Sequence, residues 1–406
     1  MDSDASLGER IRSLRERAEM KSQELAGRIG LDPSAMSNIE RGKRALKTDE
    51  LGRIAAALRV SPMAILDPGS LPARMPVAPR NTGGATIDGP VYGRLLALTE
   101  LHTLLEEDGL LTFPKLDDVP ELGSASWLRS ASALAAWATK RLSVTGAGDD
   151  RFSNLADAIE NQLGVDVLVE DYPDGLAGAA ITDRSFPLIF VNGNQTTPRA
   201  LFTLAHELGH VLARHGEAIT LDVDLVGRNE SERLANAFAA TFLMPETTIR
   251  RLINEHGRGA EALALMLYEF GVSFESLIYR LHNIGLINAE VRDQLRSVGW
   301  RGLVNALAGP ELQARLPPEL RKSLVARLGS RPERRPPGWL LERTREGYEK
   351  GTVSIRPLAG LLGADADSLI ERPELVFSGS TDILDDGHLP HDDSEQMEDL
   401  FQGDPV

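Results

Sequence analysis

The sequence contains no cysteine among its 406 residues. This absence excludes disulfide scaffolds, thiol nucleophiles, iron–sulfur clusters and cysteine-ligated zinc, and it is typical of proteins from a reducing compartment. Long apolar stretches are missing too, because no run reaches the roughly 18 residues that a membrane span needs. The N-terminal residues MDSDASLGER lack the apolar core of a signal peptide. These absences predict a cytoplasmic protein that is neither exported nor inserted in a membrane.

Acidic residues outnumber basic ones, and the net charge of -16 at pH 7 argues against general attraction to nucleic acid. The excess is uneven. Residues 376–406 hold nine Asp and Glu and no Lys or Arg, whereas residues 1–68 carry 12 basic and 11 acidic residues. Any contact with DNA would therefore need a local patch of basic side chains.

Two stretches rich in Pro and Gly interrupt the chain, one within residues 67–90 and one, SRPERRPPG, at 330–338. The first predicts a linker and the second a break between domains. We therefore predict a multidomain chain of six segments. They are a helical DNA-binding domain (1–68), a linker (69–92), a helical connector (93–149), an α+β domain (150–300), a helical C-terminal module (301–375) and a disordered acidic tail (376–406).

The α+β prediction rests on three short apolar or alternating runs, bounded by Pro, Gly, Asp and Asn, that are typical of strands. Helical spacing returns from residue 197 onward. A small sheet followed by helices is typical of α+β domains. The three runs lie at 165–171, 178–182 and 186–192.

The N-terminal segment has the pattern of five short helices joined by tight turns. Ser22 is a candidate N-cap, Gly30 falls where a turn needs positive φ, and Asp32 with Pro33 supplies a cap and a first-turn proline. This spacing predicts a helix-turn-helix whose second helix enters the major groove of DNA. The five helices are predicted at 7–19, 22–29, 33–40, 48–58 and 62–66.

The predicted recognition helix buries Met36 and Ile39 and turns short side chains outward, which permits close approach to base edges. Basic residues follow at its end, where they could bind phosphates. A compact helical protein-interaction module with a solvated basic loop is the alternative. The base-facing candidates are Ser34, Ala35, Ser37 and Asn38, and the phosphate candidates are Arg41, Lys43 and Arg44.

The stretch SQELAGRIGLDPSAMSNIERGKRALKTDELGRIAAALRVSP resembles the lambda-repressor-like (XRE-type) DNA-binding domain. The resemblance implies double-stranded operator DNA as a partner, bound at paired half-sites by a homodimer. It also implies that Gln23 faces the groove together with Ser34, Ala35, Ser37 and Asn38.

The stretch LFTLAHELGHVLARHG carries two histidines four residues apart, so on a helix His206 and His210 share a face and can bind one metal ion. Glu207 lies about 100° round the helix, where a carboxylate can act as general base without being a ligand. This H-E-x-x-H pattern predicts a zinc-dependent peptidase. The alternative is an amphipathic core helix with two satisfied histidines.

A catalytic zinc needs a third protein ligand. His215 is the nearest candidate, but a continuing helix points it about 180° away from His206, so we reject it. Glu232, at the start of the apolar helix ERLANAFAATFLMP, is the better candidate, and Glu230 competes with it. Asn236 stands one turn after Glu232, where it could hydrogen-bond a ligand histidine.

The segments FPLIFVN, RALFTLAHELGHVLARH, ERLANAFAATFLMP and VSFESLIYRLHNIGLI resemble the ImmA/IrrE family of zinc metallopeptidases. The resemblance covers roughly residues 150–290 and implies a zincin-like, gluzincin-type fold with Zn2+. It implies that His206, His210 and Glu232 are ligands and that Glu207 is the base. FPLIFVN would be an edge strand that pairs with a substrate peptide or, equally, part of the sheet core.

The C-terminal pattern predicts two short helices around a Gly-Ala turn, interpreted as a packing or dimerisation module because no basic patch accompanies them. Together, the two resemblances imply a transcription regulator that couples proteolysis of itself or of an XRE-type repressor to gene control, in a stress response or a mobile element. The alternative is a non-proteolytic repressor or antitoxin whose zincin-like domain is structural or senses a ligand.

Overall fold

The chain divides into two compact units, Met1–Arg343 and Thr344–Val406. The predicted linker lies outside the described residues except at its C-terminal end, and the acidic tail lies wholly outside them. The boundaries of the six predicted segments stay predictions. The computed structural model describes residues 7–18, 20–58, 60–67, 90–107, 116, 118–122, 126–142, 150–172, 176–213, 219–222, 230–307, 309, 316, 318–326 and 329–372.

Five helices with their own apolar core form the N-terminal part, which confirms the all-helical prediction. The core contains Ile11, Leu25, Met36, Ile54 and Ile65, all fully buried. Beside it, Arg15 pairs with Glu40 at 2.6 Å. The helices are α1 (Leu7–Arg17), α2 (Ser22–Ile29), α3 (Pro33–Glu40), α4 (Thr48–Leu58) and α5 (Pro62–Leu66).

The turn between α2 and α3 has the predicted geometry. Gly30 adopts φ 69°, which a side chain would disfavour, and Asp32 accepts a hydrogen bond from the Ser34 amide at 2.8 Å. The predicted N-cap at Ser22 is wrong. Lys21 has the extended cap conformation and Ser22 is the first helical residue, without a side-chain cap. The predicted bounds of the helix, 22–29, are confirmed.

In the part of the chain that the structure describes, three helices lie between the N-terminal helices and the sheet of the central domain. Arg94 on the first of them binds Glu170 at 2.6 Å, and this ion pair fixes the helix to the end of the first strand. The third helix continues into one π-helical turn, Ile159–Leu163, which ends at Gly164 with φ 68°. These helices are α6 (Pro90–Glu107), α7 (Trp127–Arg141) and α8 (Arg151–Ala158).

A four-stranded sheet has the order β1-β3-β2-β4. Strand β3 runs parallel to β1 and antiparallel to β2, while β4 pairs antiparallel with β2. Of the two equal expectations for FPLIFVN, the sheet core is confirmed and the edge strand is wrong, because β3 lies between β1 and β2 and is buried at every residue. The pattern had also not predicted β4. The strands are β1 (Asp166–Glu170), β2 (Gly178–Ile181), β3 (Leu188–Asn192) and β4 (Ile219–Asp222).

Helices cover this sheet and complete one continuous core, so the domain is α+β as predicted. The longest buried helix, α9, packs against β2, β3 and the next helix, α10, and α10 also contacts α7. The helices are α9 (Thr197–Ala213), α10 (Glu230–Leu243), α11 (Glu246–His256), α12 (Ala260–Phe270), α13 (Phe274–Asn283), α14 (Ala289–Leu307, broken at Gly299) and α15 (Pro318–Ala326).

Among the residues that the structure describes, no single helix has the length and hydropathy of a membrane span. Helices α12 and α13 meet those criteria only as a pair, and they are bent by 106°.

Short helices form the C-terminal part of the chain: α16 (Gly338–Glu349), α17 (Ile355–Leu362) and α18 (Ala366–Glu371). Gly363 ends α17 at φ 65°, and Asp365 caps α18 by accepting from the Ser368 amide at 3.0 Å. The two predicted helices around a Gly-Ala turn are confirmed. Within this unit, Leu358, Leu361 and Leu369 are buried.

Candidate metal centre and DNA-binding face

Helix α9 carries the H-E-x-x-H pattern through the middle of the core. Apolar residues at helical spacing, among them Leu201, Leu204 and Leu208, are buried against the sheet and α10. His206, Glu207 and His210 are each 0% exposed. Burying three such groups costs free energy unless partners compensate it, so the partners of these side chains are informative.

The two histidines point to the same place, as the spacing of four predicts. Nε2 of His206 lies 3.1 Å from Nε2 of His210. Glu232, from α10, joins them, with Oε2 at 3.2 Å from His206 Nε2 and Oε1 at 3.4 Å from His210 Nε2. The three candidate ligand atoms lie within 4.8 Å of one another. Two imidazole nitrogens and a carboxylate at these distances fit a divalent cation.

Gly209 explains how α10 comes close enough to deliver Glu232. A Cβ atom at Gly209 would lie 3.0 Å from Cδ1 of Phe238 and 3.1 Å from Cα of Ala235. The missing side chain therefore lets the backbones of α9 and α10 approach closely at a position between the two histidines. Sequence reasoning overlooked this glycine, although a glycine inside a helix is unfavourable and signals such packing.

Glu232 is ionised at this position. Burial opposes its charge, but hydrogen bonds from His206 and His210 outweigh burial and hold the pKa of Glu232 well below its usual range. The competing candidate, Glu230, is exposed at the start of α10 and does not belong to the cluster. His215 lies outside the described residues.

Asn236 lies one turn after Glu232, and its Oδ1 is 3.1 Å from Nδ1 of His206. Glu207, the candidate base, faces β2. A Cβ atom at Gly178 would lie 2.9 Å from Oε1 of Glu207 and 2.5 Å from Cγ2 of Thr203. Gly178 thus permits close contact of the strand with this face of the helix, and it is a second residue that sequence reasoning missed. A glycine at a strand end can indicate such an approach.

Helix α3 and the residues after it present the predicted DNA face. Gln23, Ser34, Arg41 and Lys43 are exposed. Their contacts with DNA stay predictions. Ala35, Ser37, Asn38 and Arg44 are half-buried.

Two of the predicted phosphate ligands make contacts within the protein. Arg41 donates to the carbonyl and hydroxyl oxygens of Ser37 at 3.0 and 2.8 Å. Arg44 donates to both carboxylate oxygens of Glu50 at 3.0 and 2.7 Å and lowers the pKa of Glu50. Because the Glu50 side chain is only 2% exposed, this ion pair gives Arg44 a structural role in the domain. Lys43 is the freely exposed cation of the set.

Comparisons with known proteins match both domains. Residues 6–64 match the model of a helix-turn-helix domain, and residues 160–282 match that of the IrrE N-terminal-like domain. The chain is similar to the radiation response metalloprotease IrrE of Deinococcus radiodurans, with 32% identity over 104 residues that cover 24% of this chain and 32% of that protein. The chain thus spans about a third of the length of this relative.

Among solved structures, the chain is similar to a Mycobacterium tuberculosis transcriptional regulator, with 15% identity, a TM-score of 0.28 and coverage of 46% of this chain and 51% of that one. The assignment rests on the two domain matches instead. They confirm the resemblances found in the sequence: the chain joins a helix-turn-helix domain to an IrrE N-terminal-like domain.

Proposed function

We propose that this chain is a cytoplasmic transcription regulator whose central domain is a zinc-dependent endopeptidase, and that proteolysis controls the occupancy of an operator by a homodimer. The convergence of His206, His210 and Glu232 beside Glu207 is the observation that carries the proposal. The helix-turn-helix match supports DNA as the second partner.

The donor set supports zinc as the metal, because two histidines and a glutamate with one position left for water or substrate form a common catalytic zinc site. When bound, zinc would act as a Lewis acid on a peptide carbonyl and on the attacking water. His206, His210 and Glu232 would hold it.

Glu207 supplies the acid–base chemistry of the proposed reaction. Its carboxylate takes a proton from the attacking water and then delivers that proton to the leaving amine of the peptide. Full burial of Glu207 strengthens its electrostatic interactions, since the effective dielectric constant is lower than in water. The ionised Glu232 balances positive charge at the same place.

A structural or ligand-sensing role of the domain is the second candidate function. One observation favours it: His206, Glu207 and His210 are all 0% exposed, and structural metal sites are closed in this way. A purely structural site, however, has no use for an acid at position 207. The two functions therefore differ in what Glu207 does.

The decisive experiment compares wild type with Glu207→Gln, each incubated with zinc and with operator DNA selected from a random pool. We expect both proteins to bind one zinc ion, and only the wild type to yield fragments of definite mass. Equal fragmentation by the two proteins would overturn the role of Glu207. Ligand-dependent release of DNA without fragments from either protein would favour the sensor.

The substrate is proposed to be this chain itself, cut in the predicted linker, or a partner repressor of the XRE type. Mixing catalytic amounts of wild type with isotopically labelled Glu207→Gln separates these cases. Labelled fragments indicate cleavage between molecules of this chain, and unlabelled fragments alone indicate cleavage within one molecule. Intact chains of both kinds beside a cleaved repressor indicate the partner.

A further inference from the structure

Gln195 lies in the loop between β3 and α9, and its side chain joins three parts of the central domain. Nε2 donates to the carbonyl oxygens of Ala177 and Asn192 at 2.7 and 3.0 Å, and Oε1 accepts from the Thr203 hydroxyl at 3.1 Å. The residue is 8% exposed. Because both amide hydrogens are used within the protein, Gln195 has no donor left for a substrate.

The partners of Gln195 lie directly beside Glu207. Thr203 is fully buried one helical turn before Glu207, on the same face of α9. Ala177 precedes Gly178, the residue whose absent side chain lets the strand touch both Thr203 and Glu207. Gln195 thus fixes the strand by two hydrogen bonds and the helix by a third, at the place where the two enclose the Glu207 carboxylate.

We infer that Gln195 is a positioning residue for Glu207, which it orients by holding the Ala177–Gly178 backbone against α9. The inference rests on the proposed function, since it gives Glu207 the role of base. The hydrogen bonds of the Gln195 side chain go to Ala177, Asn192 and Thr203 and not to the candidate metal ligands, so it acts on the base. A base displaced by about 1 Å loses on the order of 100-fold in rate.

The test uses the full chain loaded with zinc and compares Gln195→Leu and Thr203→Val with Thr99→Val. Thr99 is the matched control, since it is also fully buried on a helix, but its hydroxyl donates to Leu96 O of its own helix at 2.7 Å. We expect the first two variants to lose about tenfold or more in kcat. KM and zinc affinity should change by less than about threefold, and Thr99→Val should keep all three values.

Thr203→Ser separates the hydrogen bond from packing, because it keeps the hydroxyl and loses the methyl group. We expect it to retain kcat within about threefold of wild type. A loss as large as that of Thr203→Val would overturn the inference. So would a parallel fall of zinc affinity and kcat in Gln195→Leu, since that result would indicate general damage to the domain.

A crystal structure of zinc-loaded Gln195→Leu gives a readout that does not depend on activity. We expect the Ala177–Gly178 backbone and the Glu207 carboxylate to move, while His206, His210 and Glu232 stay in place. An unmoved Glu207 would overturn the inference. If the wild type cleaves nothing, the proposed function fails, and this structural comparison still decides whether Gln195 positions Glu207.

Discussion

Asn236 determines which nitrogen of His206 faces the metal cluster. Its Oδ1 lies 3.1 Å from His206 Nδ1. An amide oxygen only accepts hydrogen bonds, so Nδ1 carries a proton, and Nε2 is the nitrogen that can offer a lone pair to a metal ion. That Nε2 is the atom 3.2 Å from Glu232 Oε2. The contact thus presets both the tautomer and the orientation of the ring.

Asn236→Ala should weaken zinc binding about 10- to 100-fold, because partners that orient ligand histidines contribute this much to metal affinity. Competition with a chromophoric chelator measures the effect. Asn288→Ala is the control, since Asn288 is an exposed amide that caps α14 by accepting from the Val291 amide at 2.9 Å. Equal affinities of the two variants would contradict the tautomer argument.

Glu232→Gln and Glu230→Gln remove the same charge two residues apart on one helix. We expect the first to lower zinc affinity by more than about 100-fold, since loss of a ligand exceeds loss of a residue that only orients one. The second should leave affinity unchanged, because Glu230 is exposed outside the cluster. Titration of the zinc-free proteins with zinc measures both affinities. A larger loss of zinc affinity in Glu230→Gln than in Glu232→Gln would show that Glu230 is the third ligand.

Gly178→Ala should destabilise the folded chain by about 1–3 kcal/mol, because the new methyl group meets Thr203 and Glu207 well inside contact distance. Gly93→Ala is the matched control. Gly93 lies exposed in α6 with no atom near its missing Cβ, so alanine should stabilise the helix by about 0.5–1 kcal/mol. Urea unfolding measures both changes in the free energy of unfolding. We expect this free energy to fall in Gly178→Ala and to rise in Gly93→Ala.

Lys43→Ala should weaken DNA binding, whereas Arg44→Ala should destabilise the helix-turn-helix domain. Lys43 is exposed, so its loss should leave the melting temperature unchanged and reduce the slope of log Kobs against log salt by about 1. Arg44→Ala removes the partner of Glu50, so the melting temperature should fall. Calorimetry and DNA titration at several salt concentrations distinguish the two, and an unchanged salt slope in Lys43→Ala would remove Lys43 from the phosphate contacts.

Asp166 should make stability depend on pH. Burial, and then the neighbouring Glu160, raise the pKa of Asp166 to about 8 from its ordinary value of 3.8. Between these values the folded chain holds a proton that the unfolded chain has released. The free energy of unfolding should therefore fall as pH rises from about 4 to 8, by up to about 1.4 kcal/mol per pH unit. Urea unfolding of Asp166→Asn should show a shallower decline of the unfolding free energy with pH. A decline as steep as that of the wild type would show that Asp166 is not its cause.

Short sequence patterns were sufficient to predict the features that depend on the helical period and on the residues that form turns. The spacing of His206 and His210 places both on one face wherever α9 lies, and Gly30 and Asp32 define the turn before α3 from their own backbone preferences. The sequence left FPLIFVN open between edge and core of the sheet, because strand order depends on pairing between distant segments, and an apolar run has the same pattern at either place.

The sequence by itself determined the two domain types and the pair of histidines, since these follow from periodicity and residue chemistry within short windows. Only the tertiary structure decided that Glu232, rather than Glu230, reaches the histidines, because this depends on how closely α10 crosses α9 at Gly209. It likewise decided that Arg44 pairs with Glu50 and that β2 encloses Glu207 at Gly178. Each of these contacts joins residues on separate elements, and a local sequence pattern does not determine how far apart two elements lie.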